Sequence, residues 1–141
     1  MAAELEYYKE QLAHGRHIEV QRSTVAGLAA TISGAIIGEL LKRATLDTNE
    51  LPYTMTLFAV GATACLLSAK LYERFRLHNE IAKLVRNRLD PGLQRYRKIA
   101  EKAIRRKYPF LFWLPLHIIW NSLFGVIALL GLAMTAKILC H

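Results

Sequence analysis

The sequence predicts an all-α membrane protein with three transmembrane helices and a small cytoplasmic helical bundle. Of its 141 residues 53% are hydrophobic, and three long stretches contain no Asp, Glu, Lys or Arg. The 19 Lys and Arg, which contribute to a net charge of +8, are concentrated outside these stretches. Because about 20 helical residues cross a bilayer core about 30 Å thick, each stretch is a candidate span. A soluble bundle would leave too little polar surface to cover three of them.

The alternation of apolar and charged segments predicts the organisation of the chain. In order, the predicted elements are a cytoplasmic N-terminal helix at 1–22, a first transmembrane helix at 23–41, an external loop at 42–50, a second transmembrane helix at 51–69, a cytoplasmic basic helical hairpin at 70–107, a third transmembrane helix at 108–136 and an external C-terminus at 137–141. The second span fits a bilayer directly. The first fits if Glu39 lies at the interface, and the third is long enough to run obliquely or to bend at Pro115.

The distribution of basic residues predicts the orientation. Residues 70–107 hold thirteen Lys and Arg against four acids, whereas the link at 42–50 holds two basic residues. Lys and Arg are retained on the cytoplasmic side of a membrane. The sequence therefore predicts a multi-pass membrane protein with a cytoplasmic N-terminus and an external C-terminus.

Amphipathic spacing predicts the cytoplasmic bundle. A packing seam with steps of four and three is formed by Leu71, Phe75, His78, Ala82, Val85 and Leu89. No Gly or Pro separates this seam from the second span, so one continuous helix is expected there. Asp90 and Pro91 should end it and begin the second helix of the hairpin.

Span one carries small residues at strict i+4 spacing, namely Ala26, Ala30, Gly34 and Gly38. Small residues in register let helix backbones approach closely in a membrane. The pattern predicts either a homo-oligomer whose central helices are span one, or packing of span one against the other two spans. In a ring, Thr31 is a candidate for lining the axis.

Three further polar residues lie in or near the spans. Glu39 is four residues from Arg43, which predicts an ion pair at the interface; a place on an ion pathway is the alternative. His117 and Asn121 are four apart in span three. They predict hydrogen bonds to another helix, or else a ligand or proton-relay site.

The basic hairpin predicts a binding surface made of Arg74, Arg76, His78, Arg86 and Arg88. Such residues beside the inner leaflet attract anionic lipid, and they also suit the acids of a cytoplasmic protein partner or of the N-terminal helix. Nucleic acid is not favoured, because no reader module is recognisable. His14, His17 and His78 lack further ligands at metal spacing, so packing is favoured and no metal or other cofactor is expected.

No enzyme motif is present, so the sequence predicts a protein that is not an enzyme. Nucleases built on HEPN bundles separate an Arg and a His by four to six residues. Here three residues separate Arg74 from His78, so the spacing departs from that of these nucleases.

The segments YYKEQLAHGRHIEVQRS before span one and KLYERFRLHNEIAKLVRNRL after span two carry a resemblance over residues 7–90, with Tyr72, Glu73, Arg74 and His78 at its centre. The layout resembles RipA-family octameric bacterial membrane proteins and the small pore-forming membrane accessory proteins of type VI-B CRISPR systems. The resemblance implies a ring in the inner membrane that perturbs the envelope when a cytoplasmic cue arrives, as in phage defence.

Two functions are therefore expected as alternatives. The first is a homo-oligomeric ring or pore gated by its basic cytoplasmic bundle. The second is a non-conducting membrane scaffold, or accessory subunit, that docks a partner through the arginine-rich hairpin.

Overall fold

The protein is all-α. The computed structural model describes residues 2–43, 47–89, 92–107 and 116–140, except for the side chains of residues 93, 94, 97 and 116. Its elements are α1 (Ala2–Leu40), a single 3₁₀ turn (Thr48–Glu50), α2 (Leu51–Leu89), α3 (Leu93–Lys107) and α4 (Leu116–Leu139). No strand occurs in this part of the chain. Helices α1, α2 and α4 are each long and apolar enough to cross a membrane, which agrees with the predicted membrane class.

The helix ends refine the predicted boundaries. Helix α1 joins the predicted N-terminal helix to span one and continues through Gly15 without a break. Helix α2 likewise continues from span two into the first arm of the predicted hairpin, as the absence of Gly and Pro between the two segments predicted. Helix α4 ends three residues beyond the predicted end of span three. The expected turn at 90–91, the start of span three and its aromatic residues Tyr108, Phe110 and Trp113 lie outside the described residues.

Two hydrogen bonds between Asp47 and Glu50 immediately precede the start of α2. The Asp47 N–H donates to Glu50 Oε2 at 2.8 Å, and the Glu50 N–H donates to the Asp47 carbonyl at 3.1 Å. This Asp-x-x-Glu arrangement satisfies backbone groups at a helix entry. Pro52 follows in the first helical turn, where its missing N–H leaves no hydrogen bond unmade.

The chain divides into two compact units. One comprises residues 1–21 and 71–116 and is called the basic unit below; the other comprises 22–70 and 117–141 and is called the apolar unit. Twelve of the chain's 19 Lys and Arg occur between residues 74 and 107 of the basic unit. The core of the apolar unit contains Ala26, Ala29, Leu57, Ala64, Phe124 and Ile127.

In the apolar unit, α2 and α4 run antiparallel and touch through glycine. A Cβ built on Gly61 would lie 2.5 Å from the Ala128 nitrogen, and one on Gly131 would lie 2.8 Å from Phe58 Cα. Real Cβ atoms do not approach backbone so closely, so the two helices can make these contacts only with glycine. The sequence interpretation placed close helix packing in span one and did not include either glycine.

Hydroxyl groups form a hydrogen bond between α2 and α4 near Gly131. Thr135 Oγ1 lies 2.9 Å from both Thr54 Oγ1 and the Gly131 carbonyl oxygen. Its single hydroxyl hydrogen can be donated to only one of them at a time. Thr54, which is fully buried, donates in turn to the Leu51 carbonyl at 3.1 Å. Such bonds across membrane helices average about 0.6 kcal/mol each.

In the basic unit, α1 packs antiparallel on α2. The distance from His78 Nδ1 to Oε1 of the buried Gln11 is 2.7 Å. When the ring proton is on Nδ1, His78 donates this hydrogen bond and Gln11 accepts it. His14 stacks on the same ring, with centroids 5.3 Å apart. Gly15 faces Phe75 and Asn79 one turn further along.

Replacing Gly15 with alanine is expected to stabilise the protein by up to about 1 kcal/mol, the helix-propensity difference between these residues. The new Cβ would lie 3.8 Å from Asn79 Oδ1 and 3.9 Å from Phe75 Cδ2, which are ordinary contacts. Denaturation of the detergent-solubilised protein, followed by circular dichroism, measures the change. A lower midpoint than wild type would show that α1 and α2 are closer here than the structure has them.

Candidate functional site

Most of the exposed residues of α1 within the apolar unit are small. Beyond the helix's own backbone, a Cβ on Gly27, Gly34 or Gly38 would meet no described atom within 4 Å. Larger side chains are exposed on the same stretch at Leu28 (59%) and Ile32 (43%). The small exposed residues are Ser23, Thr24, Ala30, Thr31 and Ala35. Together with the three glycines they are called the small face below.

The opposite side of α1 makes the contacts within the chain. Ala26, Ala29, Ser33 and Leu40 are all at most 5% exposed. The predicted i+4 row therefore divides: Ala26 belongs to the core, whereas Ala30, Gly34 and Gly38 are exposed. Packing against the chain's own helices thus uses Ala26 and leaves the three others uncovered by the described residues.

The exposed surface of α4 in the apolar unit has a different character. Large aliphatic side chains are exposed along α4, namely Ile118, Ile119, Leu123, Val126, Leu129, Leu130 and Leu132. Branched aliphatic surface is what lipid chains solvate. Small residues, by contrast, are typical of contacts between membrane helices, where they let backbones approach. The two exposed surfaces therefore suit different neighbours.

The polar positions predicted in span one are satisfied within the chain. Thr31 Oγ1 donates to the Gly27 carbonyl at 2.9 Å, so its hydroxyl needs no water. Glu39 accepts from Lys42 at 3.0 Å and from Arg43 at 3.1 Å, the ion pair expected from its spacing to Arg43. Arg43 also lies 3.9 Å from buried Glu50. This geometry favours a helix-end ion cluster over a place on an ion pathway.

The polar pair predicted in span three lies at the start of α4. His117 and Asn121 are both half-buried. The Asn121 carbonyl accepts a weak contact from Cys65 Sγ at 3.9 Å, which links α4 to α2. The side-chain Oδ1 of Asn121 is buried and has no hydrogen-bond partner among the described residues. A hydrogen bond from this side chain to a further helix stays a prediction.

The residues predicted as a basic binding surface occupy different environments on α2. Arg74, Arg76 and Arg88 are exposed, and Arg86 is half-buried. His78 points into the α1 contact with Gln11 and His14, which is the packing role favoured for it. Within the described parts of the chain, no three His, Cys, Asp or Glu residues gather as metal ligands would.

Helix α3 presents an uncovered amphipathic surface. Every described side chain on it is exposed, including Tyr96 at 73%, Ile99 at 58% and Ile104 at 54%. Its last turn consists of Arg105, Arg106 and Lys107. An apolar stripe beside such charge is typical of helices at a lipid surface or at a protein interface.

The fold and these surfaces define an all-α chain with three helices capable of crossing a membrane. No family model, curated protein or solved structure significantly matches it. Sequence reasoning singled out the small residues of span one and predicted a basic hairpin. It missed the glycine contacts of α2 and α4, although isolated glycines inside helical segments are a recognised signal of close packing.

Proposed function

We propose that the protein is a homo-oligomer of the bacterial inner membrane, in which copies associate through the small face of α1 into a ring or pore. The observation that carries this proposal is the exposure of Gly27, Gly34 and Gly38 among other small residues of α1. Membrane helices gain little from burying apolar surface away from lipid, so their association depends on close backbone approach. The small face provides that approach.

The limited burial of the apolar helices supports assembly. In the most apolar stretches of α1, α2 and α4, only 22%, 28% and 17% of the residues are buried. Lipid can cover the aliphatic surface of α4, but it fills the shallow groove of a glycine-rich face poorly. A second copy of α1 fits such a face better. A closed ring forms when one edge of the small face on each copy meets the other edge on the next copy around an axis, and a ring is also what the resemblance to RipA-family octameric proteins implies.

The proposed orientation places the basic unit in the cytoplasm, because its residues 71–107 hold twelve Lys and Arg against four acids. There the unit would act as the sensing or gating element of the ring. An effector that perturbs the membrane during phage defence is the role proposed for such a pore.

The orientation predicts that Cys140 is reached from outside the cell. In a Cys65→Ala chain, Cys140 is the only thiol, and it is exposed. A membrane-impermeant maleimide added to intact spheroplasts is expected to label it. In a matched Cys65→Ala, Cys140→Ala, Arg88→Cys chain, labelling should require permeabilisation. If intact spheroplasts are labelled at Arg88→Cys and not at Cys140, the topology is the inverse of the proposed one.

Native mass and ion flux test the function itself. In mild detergent we expect a single species whose mass is a multiple of 16.0 kDa. In liposomes the assembled species should release a trapped ion indicator, whereas protein-free liposomes stay sealed. A monomer that resists mild cross-linking would contradict the ring, and a sealed oligomer under every trigger would contradict the pore.

A non-conducting scaffold is the second candidate, and the uncovered surface of α3 favours it. The exposed Tyr96, Ile99 and Ile104 beside a basic face offer a docking surface for an acidic partner. Co-purification of one stoichiometric protein, lost in a Tyr96→Ser, Ile99→Ser, Ile104→Ser chain and combined with no ion flux, would favour the scaffold over the pore.

A further inference from the structure

The basic unit contains a polar cavity between α1 and α2. Its volume is about 410 Å³, which lies in the range of small-molecule sites. The lining comprises Tyr8 and Leu12 from α1 and Arg76, Asn79, Glu80, Ala82, Lys83 and Arg86 from α2.

The cavity has an excess of positive charge. Arg76, Lys83 and Arg86 follow one another on α2 at steps of seven and three, so all three side chains lie on one helix face. Among the described residues of the lining Glu80 is the only acid, and its Oε2 lies 3.4 Å from Lys83 Nζ. One carboxylate against three cations leaves a net charge of +2. A phosphate monoester carries about −1.5 to −2 at neutral pH, which complements it.

Arg86 supplies an unmet hydrogen-bond donor. Its Nε is buried, and no acceptor among the described residues bonds it. A buried donor without a partner is costly, and more so when it belongs to a charged group. The guanidinium fork matches the paired oxygens of a phosphate, and Tyr8 and Asn79 add neutral hydrogen-bonding groups to the same lining.

We propose that this cavity binds a small phosphate monoester, held by Arg76 and Arg86 with Lys83 beside them. The volume accommodates a ligand up to about the size of a mononucleotide. The same chemistry is offered by a free phosphate monoester and by the phosphate headgroup of phosphatidic acid. The inference goes beyond the proposed assembly and does not depend on it, because no residue of the small face lines the cavity.

Calorimetric titration of the full-length protein in detergent, at constant ionic strength, tests the site. Adenosine monophosphate and inorganic phosphate are the free probes, and adenosine is the control without phosphate. We expect both phosphate probes to bind and adenosine not to bind. Arg76→Gln and Arg86→Gln should each weaken binding about tenfold or more, since each removes a charge-assisted hydrogen bond.

Arg88→Gln is the matched control, because Arg88 is on the same helix but does not line the cavity. Its affinity should equal that of wild type. Arg76 is exposed, so its variant reports on binding even if Arg86→Gln fails to fold. Equal losses of affinity in all three variants would mean that binding depends only on general charge attraction, and would overturn the proposal. Binding of adenosine with the same affinity as adenosine monophosphate would overturn it as well.

Vesicles separate the two sources of phosphate. Phosphatidylcholine vesicles containing phosphatidic acid are compared with vesicles of phosphatidylcholine alone, using protein reconstituted from detergent. Protection of the basic unit from protease by phosphatidic acid, lost in Arg76→Gln but not in Arg88→Gln, would assign the site to lipid. Binding of the free probes without this protection would assign it to a soluble ligand. If neither phosphatidic acid nor either free phosphate probe binds the wild type, the proposal is wrong.

Discussion

Replacing Gly131 with alanine is expected to destabilise the apolar unit by about 1–3 kcal/mol, the usual cost of overpacking a helix contact. The new Cβ would lie 2.8 Å from Phe58 Cα and 2.9 Å from the Thr54 carbonyl oxygen. Backbone atoms cannot rotate away, so α2 and α4 must separate. Separation lengthens the Thr54–Thr135 hydrogen bond and loosens fully buried Leu57.

Gly125→Ala is the matched control on the same helix. A Cβ there would meet nothing described within 4 Å, so this change should be neutral or stabilising by up to about 1 kcal/mol. Unfolding of both variants in mixed micelles, followed by helicity, measures the difference between them. Equal stability of Gly131→Ala and Gly125→Ala would mean that α2 and α4 do not touch at Gly131.

Replacing both Gly34 and Gly38 with leucine is expected to abolish the proposed assembly while leaving the fold of each copy intact. Neither position has a described neighbour within 4 Å, so the added side chains point away from the chain's own core. On a second copy of α1 they would hold the backbones apart and remove the close contact that drives association. Native mass in detergent should fall to the monomer, and ion release from liposomes should be lost.

Gly125→Leu again provides the control, because it adds the same side chain at an open position on α4. Its mass should equal that of wild type. Unchanged mass for the α1 double variant would exclude the small face as the interface. Loss of assembly in both variants would show that the contact involves α4 as well.

The helical class and the three apolar helices could be predicted because both depend on local sequence. Continuous charge-free stretches such as 51–69 require an apolar environment whatever they pack against. The continuation of α2 from span two into the basic segment followed from the absence of Gly and Pro between Cys65 and Leu89. The ion pair of Glu39 and Arg43 followed from helical spacing alone.

The packing partners could not be predicted in the same way. Small residues occur in α1, α2 and α4 alike, and spacing does not tell which of them face a neighbouring helix. In the apolar unit the close backbone approach of α2 and α4 uses Gly61 and Gly131, whereas Gly34 and Gly38 have no described neighbour within 4 Å. Likewise, the hairpin arginines formed one predicted surface, but the structure separates Arg76 and Arg86, which line a cavity, from Arg88, which does not.

The sequence by itself determined that this is a helical chain with three segments suited to a bilayer and a strongly basic remainder, because hydropathy and charge are properties of each segment alone. Only the tertiary structure decided which face of α1 is covered and where the cations converge. Those outcomes depend on contacts between residues far apart in the chain, such as Gln11 with His78 and Phe58 with Gly131.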